Sequence, residues 1–227
     1  YSFEEGAKIG TYGFIKNAKA YIIAIAKKAM AEDKKKAVDF GYDFEQIILK
    51  ATDLGFDTCW MAMSFNHQEI INMLGLSNDE HIMMVSPLGY GLTPKGFQKL
   101  TRMVIKADHR LDFEKLFFNK EFSHGLTKAE AGDYEKPLSM LRLAPSAGNS
   151  QPWRVVMTDE GFDFYVKPKP YYESRKNQRI NLGYNDLGIA KMHFEYVAKK
   201  YNLSGSWIVK EEAPLSELAY AYSWIRA

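Results

Sequence analysis

Ten consecutive residues, Ala144-Pro145-Ser146-Ala147-Gly148-Asn149-Ser150-Gln151-Pro152-Trp153, constrain this chain more than any other segment. A helical pattern precedes them at 135–143, and a β-rich pattern follows at 154–157. The two prolines stiffen the backbone. Ala147 and Gly148 are small enough for a flat ligand to come close. Ser146, Asn149 and Gln151 carry donors and acceptors. A turn is built from Pro, Gly, Ser and Asn alone; it does not also require a second proline, two side-chain amides and a tryptophan within ten residues.

Around this loop the chain alternates strands and helices. Residues 21–25 read as a buried strand, short, apolar and β-branched, after a turn at Gly10-Thr11-Tyr12-Gly13. Residues 40–54 carry helical periodicity, with Phe40, Phe44, Ile47, Ile48, Ala51 and Leu54 on one stripe and Gly55 as the stop. Residues 57–63 are extended. Asn66 caps a helix reaching Leu74, with Glu69 at the capping-box position and Gly75 as the stop. Residues 82–86 form an apolar strand that Pro87-Leu88-Gly89-Tyr90 closes. A basic loop covers 91–106, and a polar connector covers 119–133. Beyond the ten-residue loop the pattern predicts strands at 154–158 and 162–167 about a hairpin turn, a helix over 187–201 and a strand over 206–210.

Bulk properties exclude several classes. With 227 residues, 46% of them hydrophobic, the chain can build a full core in one large domain or two small ones. A net charge of +2 does not argue for nucleic acid, and Lys34-Lys35-Lys36 reads as a solvated loop. The aromatics, 14% of residues, lack basic interleaving and read as core rather than a base-stacking platform. One cysteine, Cys59, excludes an internal disulfide and a cysteine metal cluster, and fits a reducing cytoplasm. No apolar run is long enough for a membrane span, and no signal peptide is recognisable. There is no Gly-x-Gly-x-x-Gly, phosphate-binding P-loop or Gly-x-Ser-x-Gly elbow. His67, His81, His109, His124 and His193 lack metal-ligand spacing, so no metal is expected. His193, on an amphipathic helix, reads as a structural, hydrogen-bonded residue.

The ten-residue segment resembles the Pro-Ser-x-x-Asn-x-Gln-Pro-Trp loop of the nitroreductase family, FMN-dependent oxidoreductases. Asp53 to Met63 resembles that family's Leu-Gly-x-x-(Thr/Ser)-x-Trp-x-x-Gly stretch, whose backbone N–H groups approach the flavin edge. The resemblance places Trp60, Met61 and Ala62 along that edge; Met63 stands where many relatives have Gly. Pro87-Leu88-Gly89-Tyr90 resembles the family's Pro-x-Gly-Tyr strand end. Basic residues after it reach the FMN phosphate, and Lys95, Arg102, Lys106 and Arg110 are the candidates here. Asp186 to Glu195, with 142–153, resembles a tandem-repeat branch of the family. An Arg-x-Ser-x-Arg phosphate clamp is missing before Gly6. Since the sequence starts at Tyr1 rather than Met, the expectation is that residues precede it and carry that segment; the alternative is that the chain has lost it and binds FMN weakly or not at all.

A shift of 147 positions superposes Asp39 on Asp186, Gly41 on Gly188, Ala51 on Ala198 and Trp60 on Trp207. Nitroreductases are homodimers with the flavin across the interface, so a duplication would place that interface inside one chain. The expected fold is therefore α+β and nitroreductase-like: a mixed or antiparallel sheet flanked by helices. Two pseudo-repeats, 1–120 and 121–227, would form one compact unit that mimics the family dimer, so a monomer is plausible and a homodimer possible. The implied cofactor site takes Trp60, Met61 and Ala62 on one wall and Pro145, Ser146, Ala147, Asn149 and Gln151 on the other, with Tyr12 and Gly13 at its border and Arg110 at the phosphate. The implied activity is hydride transfer from NAD(P)H through FMN to a small electron-poor acceptor, such as a nitroaromatic or quinone. No side chain need act as acid or base, so no catalytic residue is named. The competing readings are a non-catalytic or degenerate flavin-binding protein and a plain structural or partner-binding domain.

Overall fold

The computed structural model describes residues 15, 18, 20–91, 103, 104, 106–167, 181–215 and 218–227. Its first sheet is antiparallel, in the order β1 (Ala20–Lys27), β3 (Glu80–Gly89), β2 (Asp57–Thr58). The β-branched residues of β1 pair along the length of β3, with Ile23 opposite Val85 and Tyr21 opposite Pro87. Strand β3 therefore runs past Ser86, through the proline expected to close it. Pro87 has no N–H for a ladder, and beside it Ser86 Oγ accepts from the Cys59 N–H at 3.1 Å.

Helix α1 (Lys28–Glu32) is short, and α2 (Lys34–Asp53) follows at once. Asp33 caps α2 by accepting from the N–H groups of Lys35 at 2.7 Å and Lys36 at 3.1 Å. The lysine run is thus an exposed first helical turn, not a loop, and the helix starts before residue 40. The buried face is Ala37, Val38, Gly41, Phe44, Glu45, Ile48 and Ala51. Ile47 and Leu54, placed on the apolar stripe from sequence, are exposed at 49% and 62%. Gly55 ends the helix with φ of 85°, a conformation that suits glycine. Helix α3 (His67–Leu74) keeps the expected ends: Asn66 Oδ1 accepts from the Glu69 N–H, and Gly75 is left-handed.

The second sheet is mixed. Its order is β4 (Phe117–Asn119), β5 (Trp153–Met157), β6 (Gly161–Val166), β8 (Ala219–Arg226), β7 (Gly205–Ile208), with β4 parallel to β5 and the other pairs antiparallel. Helices α4 (Glu135–Leu143) and α5 (Leu182–Lys200) cover it. Its core is aromatic: Phe162, Phe164, Phe194, Tyr222 and Trp224 are buried, with Trp207 packed against them. Strands β4 and β8 had no expectation in the sequence. β4 has three residues, and β8 follows a polar stretch and reads as an aromatic tail until β6 supplies its partner.

Between the sheets, α2 and α5 pack on each other. A Cβ on Gly41 would stand 2.1 Å from Asn185 O, and one on Gly188 would stand 2.1 Å from Val38 O. Only glycine permits that approach of the two backbones. The architecture is α+β, as expected: an antiparallel and a mixed sheet with helices against them.

Candidate functional site

The ten-residue loop leaves α4 at Ala144 and turns sharply. Gly148, Asn149 and Gln151 have φ of 56°, 52° and 47°. Two non-glycine residues in the left-handed region need compensation, and hydrogen bonds supply it. Asn149 Nδ2 donates to Lys106 O at 2.6 Å and to His109 O at 2.8 Å, and Asn149 Oδ1 accepts from Arg110 Nη1 at 3.1 Å. Gln151, 2% exposed, accepts at Oε1 from the Leu111 N–H at 2.8 Å. Ser146 Oγ accepts from the Gln151 N–H at 2.9 Å. The two amides therefore grip segment 106–111 and hold it against the loop.

That grip assembles positive charge. Arg110 donates to the carbonyls of Ala107, His109 and Leu143, while Arg142 donates to Leu111 O at 2.6 Å. Burial lowers the Arg110 pKa below its ordinary value, and the neighbouring Arg142 adds to that against the opposing pull of Asp108. Among the described residues the Arg110 guanidinium hydrogen-bonds only neutral acceptors, and Asp108 is the carboxylate that attracts it.

The other candidate wall is built differently. Trp60 is half-buried, and its indole donates to Glu45 Oε2 at 2.9 Å. Phe44 meets it edge-on, with ring centroids 4.7 Å apart. Met61 is 3% exposed, and both its N–H and its carbonyl are bonded to Val85. A free Met61 amide at a ligand edge is thus not what this backbone presents, because the residue extends the first sheet. Ala62 packs beside Phe44 and Met83, and Met63 is 39% exposed.

Helix α5 ties the two walls together. The Ala147 N–H donates to Asp186 Oδ1 at 3.1 Å and Oδ2 at 3.2 Å. Two turns further, His193 Nε2 is 2.8 Å from Glu45 Oε1, the carboxylate that holds Trp60. Residues seven apart share a helix face and are separated by roughly 10 Å along the axis. Asp186, Arg142 and Glu45 were not expected at the site. Glu45 had a readable signal, a charged residue on the buried stripe of α2, whereas Asp186 and Arg142 stood in segments that carry the family resemblance without a role being expected of either. His193 is hydrogen-bonded within the fold, as its place on an amphipathic helix suggested. Tyr12, Gly13, Lys95 and Arg102 lie outside the described residues.

A cleft of about 620 Å³ opens elsewhere, between the α2–α5 pair and strands β1 and β3, and no expected site residue lines it. Among the described residues, the buried Asn185 Nδ2 and Oδ1 and Trp153 Nε1 find no partner. Such groups are costly unless something satisfies them. Among the described residues no cluster of three His, Cys, Asp or Glu could hold a metal, and no helix is long and apolar enough to cross a membrane.

A family model described as "Putative TM nitroreductase" matches residues 2–198. A crystal structure from Thermotoga maritima, described as a putative nitroreductase, is similar in fold at a TM-score of 0.57 and 22% identity, over 91% of this chain and 75% of that one. No curated protein matches the sequence.

Proposed function

Because the chain belongs to the TM nitroreductase family, we propose that it is an FMN-dependent oxidoreductase acting between NAD(P)H and a small electron-poor acceptor such as a nitroaromatic or quinone. The observation that carries this reading is the joining of the signature loop and the Trp60 segment by one face of α5, through Asp186 and the His193–Glu45 pair. Two features fit a planar phosphate-bearing cofactor: the Arg110 guanidinium held to the loop by Asn149, and the Asn185 amide, one residue from Asp186, which has no partner among the described residues. Bound FMN would supply two-electron transfer. The chain's part is to hold and orient it. Arg110 and Lys106 would balance the phosphate. Pro145, Ser146, Ala147, Asn149 and Gln151 would form one wall, and Trp60, Met61 and Ala62 the other, with Tyr12 and Gly13 at the border.

The same reading includes an internal two-fold, with 1–120 and 121–227 as its halves. The reciprocal approach of Gly41 to Asn185 and of Gly188 to Val38 supports it, since the 147-residue shift maps each pair onto the other. The shared contact would then already be made within one chain, favouring a monomer over a homodimer.

A specific observation favours the alternative, a flavin-binding protein without turnover. The Met61 amide is committed to Val85, and the Asn149 and Gln151 amides are committed to segment 106–111. One preparation separates the readings. After addition of FMN and desalting, bands near about 370 and 450 nm report retained flavin, and NADH or NADPH oxidation with a quinone reports turnover. Retained flavin with turnover supports the oxidoreductase. Retained flavin without turnover supports the binding protein, and no retained flavin removes both.

A further inference from the structure

The cleft between the helix pair and the first sheet has two kinds of wall. Ile25 of β1, Met30 of α1, Phe40 of α2 and Met83 of β3 make an apolar side. Opposite them α5 presents Lys191, whose ammonium lies 4.8 Å from the Trp207 ring centroid, 5.1 Å from that of Tyr222 and 5.5 Å from that of Tyr42. Aromatic faces stabilise a cation without neutralising it. Lys191 makes no ion pair among the described residues, and burial lowers its pKa against the raising influence of Asp39, Glu195 and Asp43.

The acids near it are differently placed. Glu195 is satisfied: Lys199 Nζ stands 2.5 Å from Oε1, the Trp207 indole donates to Oε2 at 2.7 Å, and the Tyr42 hydroxyl adds a third bond. Asp39 and Asp43 are exposed at the rim, where water screens them, and Lys36 lies 3.9 Å from Asp39. Asp39, Asp43 and Glu195 all attract Lys191 from the same cleft, but among the described residues none of them forms an ion pair with it. Lys191 also marks one half only. The 147-residue shift that superposes Trp207 on Trp60 puts Lys191 on Phe44, so a ring packs on one tryptophan where an ammonium packs on the other.

We propose that this cleft is a binding site for small amphipathic monocarboxylates, with the carboxylate on the Lys191 ammonium and the apolar body against Ile25, Met30, Phe40 and Met83. The cleft, about 620 Å³ and open to solvent on one side, has room for such a ligand. Among the described residues that line the cleft, none belongs to the signature loop.

The test titrates the whole chain with hexanoate, hexanamide and hexylamine while following methionine methyl groups by NMR. The expected result is saturable hexanoate binding that shifts Met30 and Met83, at least about tenfold stronger than hexanamide. It should be lost in Lys191→Met and retained in Lys191→Arg. Four results each overturn the proposal: hexanamide binding as tightly as hexanoate, hexylamine binding more tightly, shifts confined to methionines away from the cleft, or no saturation up to tens of millimolar (about the weakest range useful for such a contact). If circular dichroism shows Lys191→Met unfolded, the three-ligand comparison and the location of the shifts on the unaltered chain decide.

Discussion

Trp60 and Trp207 each end a run from a long helix into an extended segment, yet they stand in different company. Each indole donates to a glutamate of that helix, Glu45 at 2.9 Å and Glu195 at 2.7 Å. Glu45 reaches across to His193 on α5, whereas Glu195 is held both by Lys199 of its own helix and by the Tyr42 hydroxyl of α2. Phe44 packs on the first ring and Lys191 on the second. The same local plan thus joins α2 to α5 in both places, and beside Trp207 it adds a lysine that lines a cleft. Changing one ring-contacting residue and one acceptor partner is enough to change what the tryptophan does.

The helix crossing is where that comparison can be broken most sharply. Gly188→Val and Gly41→Val should each cost at least about 3 kcal/mol in urea unfolding, because the new side chain meets backbone that cannot give way. Near-equal losses are expected if the crossing is two-fold; a loss at one position alone would deny it. Next in size, Glu45→Ala leaves the Trp60 indole and His193 without their acceptor, with an expected loss of about 2 kcal/mol. Glu195→Ala also strands the Trp207 indole and the Tyr42 hydroxyl, but it should cost less, since Glu195 is less buried than Glu45 and Lys199 is exposed, so water can replace what is lost. Equal losses would erase the asymmetry drawn here.

Asn149→Ala should lower stability by roughly 2 kcal/mol and release segment 106–111, read by faster amide exchange there. Its effect on retained FMN should exceed that of Glu195→Ala if the signature loop is the cofactor wall. The smallest effect is at the edge of the first sheet. The Lys27 and Ser77 hydrogen bonds hold the exposed Asp79 carboxyl at about 2. A depressed carboxyl stabilises the fold above its unfolded pKa of about 4 and loses that contribution as pH falls from there to about 2. Asp79→Asn should therefore flatten the acid limb of a stability–pH curve slightly, and an unchanged limb would remove Asp79 from it.

Much of the frame was legible in the sequence because local rules wrote it. Asn66 and Gly75 bracket α3, Gly55 ends α2, and the pattern at 135–143 is α4 to the residue. Failures came where a partner decided. Ile47 and Leu54 carry helical spacing but face solvent, since α5 presses on the Gly41 side of α2. Strand β8 exists because β6 and β7 flank it. At the candidate site, the loop and the importance of its amides were readable; that Asn149 and Gln151 spend those amides on segment 106–111, 40 or so positions upstream, was not.

The sequence by itself determined the α+β class, the family and the stiff polar loop, because helix caps, glycine stops and a dense motif act over a few residues. Only the tertiary structure decided that Asp186 would anchor the loop, that Glu45 would join Trp60 to His193, and that Lys191 would face a cleft among rings. Those contacts join groups 39, 148 and 31 positions apart, as Ala147 to Asp186, Glu45 to His193 and Lys191 to Tyr222. Their free energy comes from burial and geometry that no local window of the chain contains.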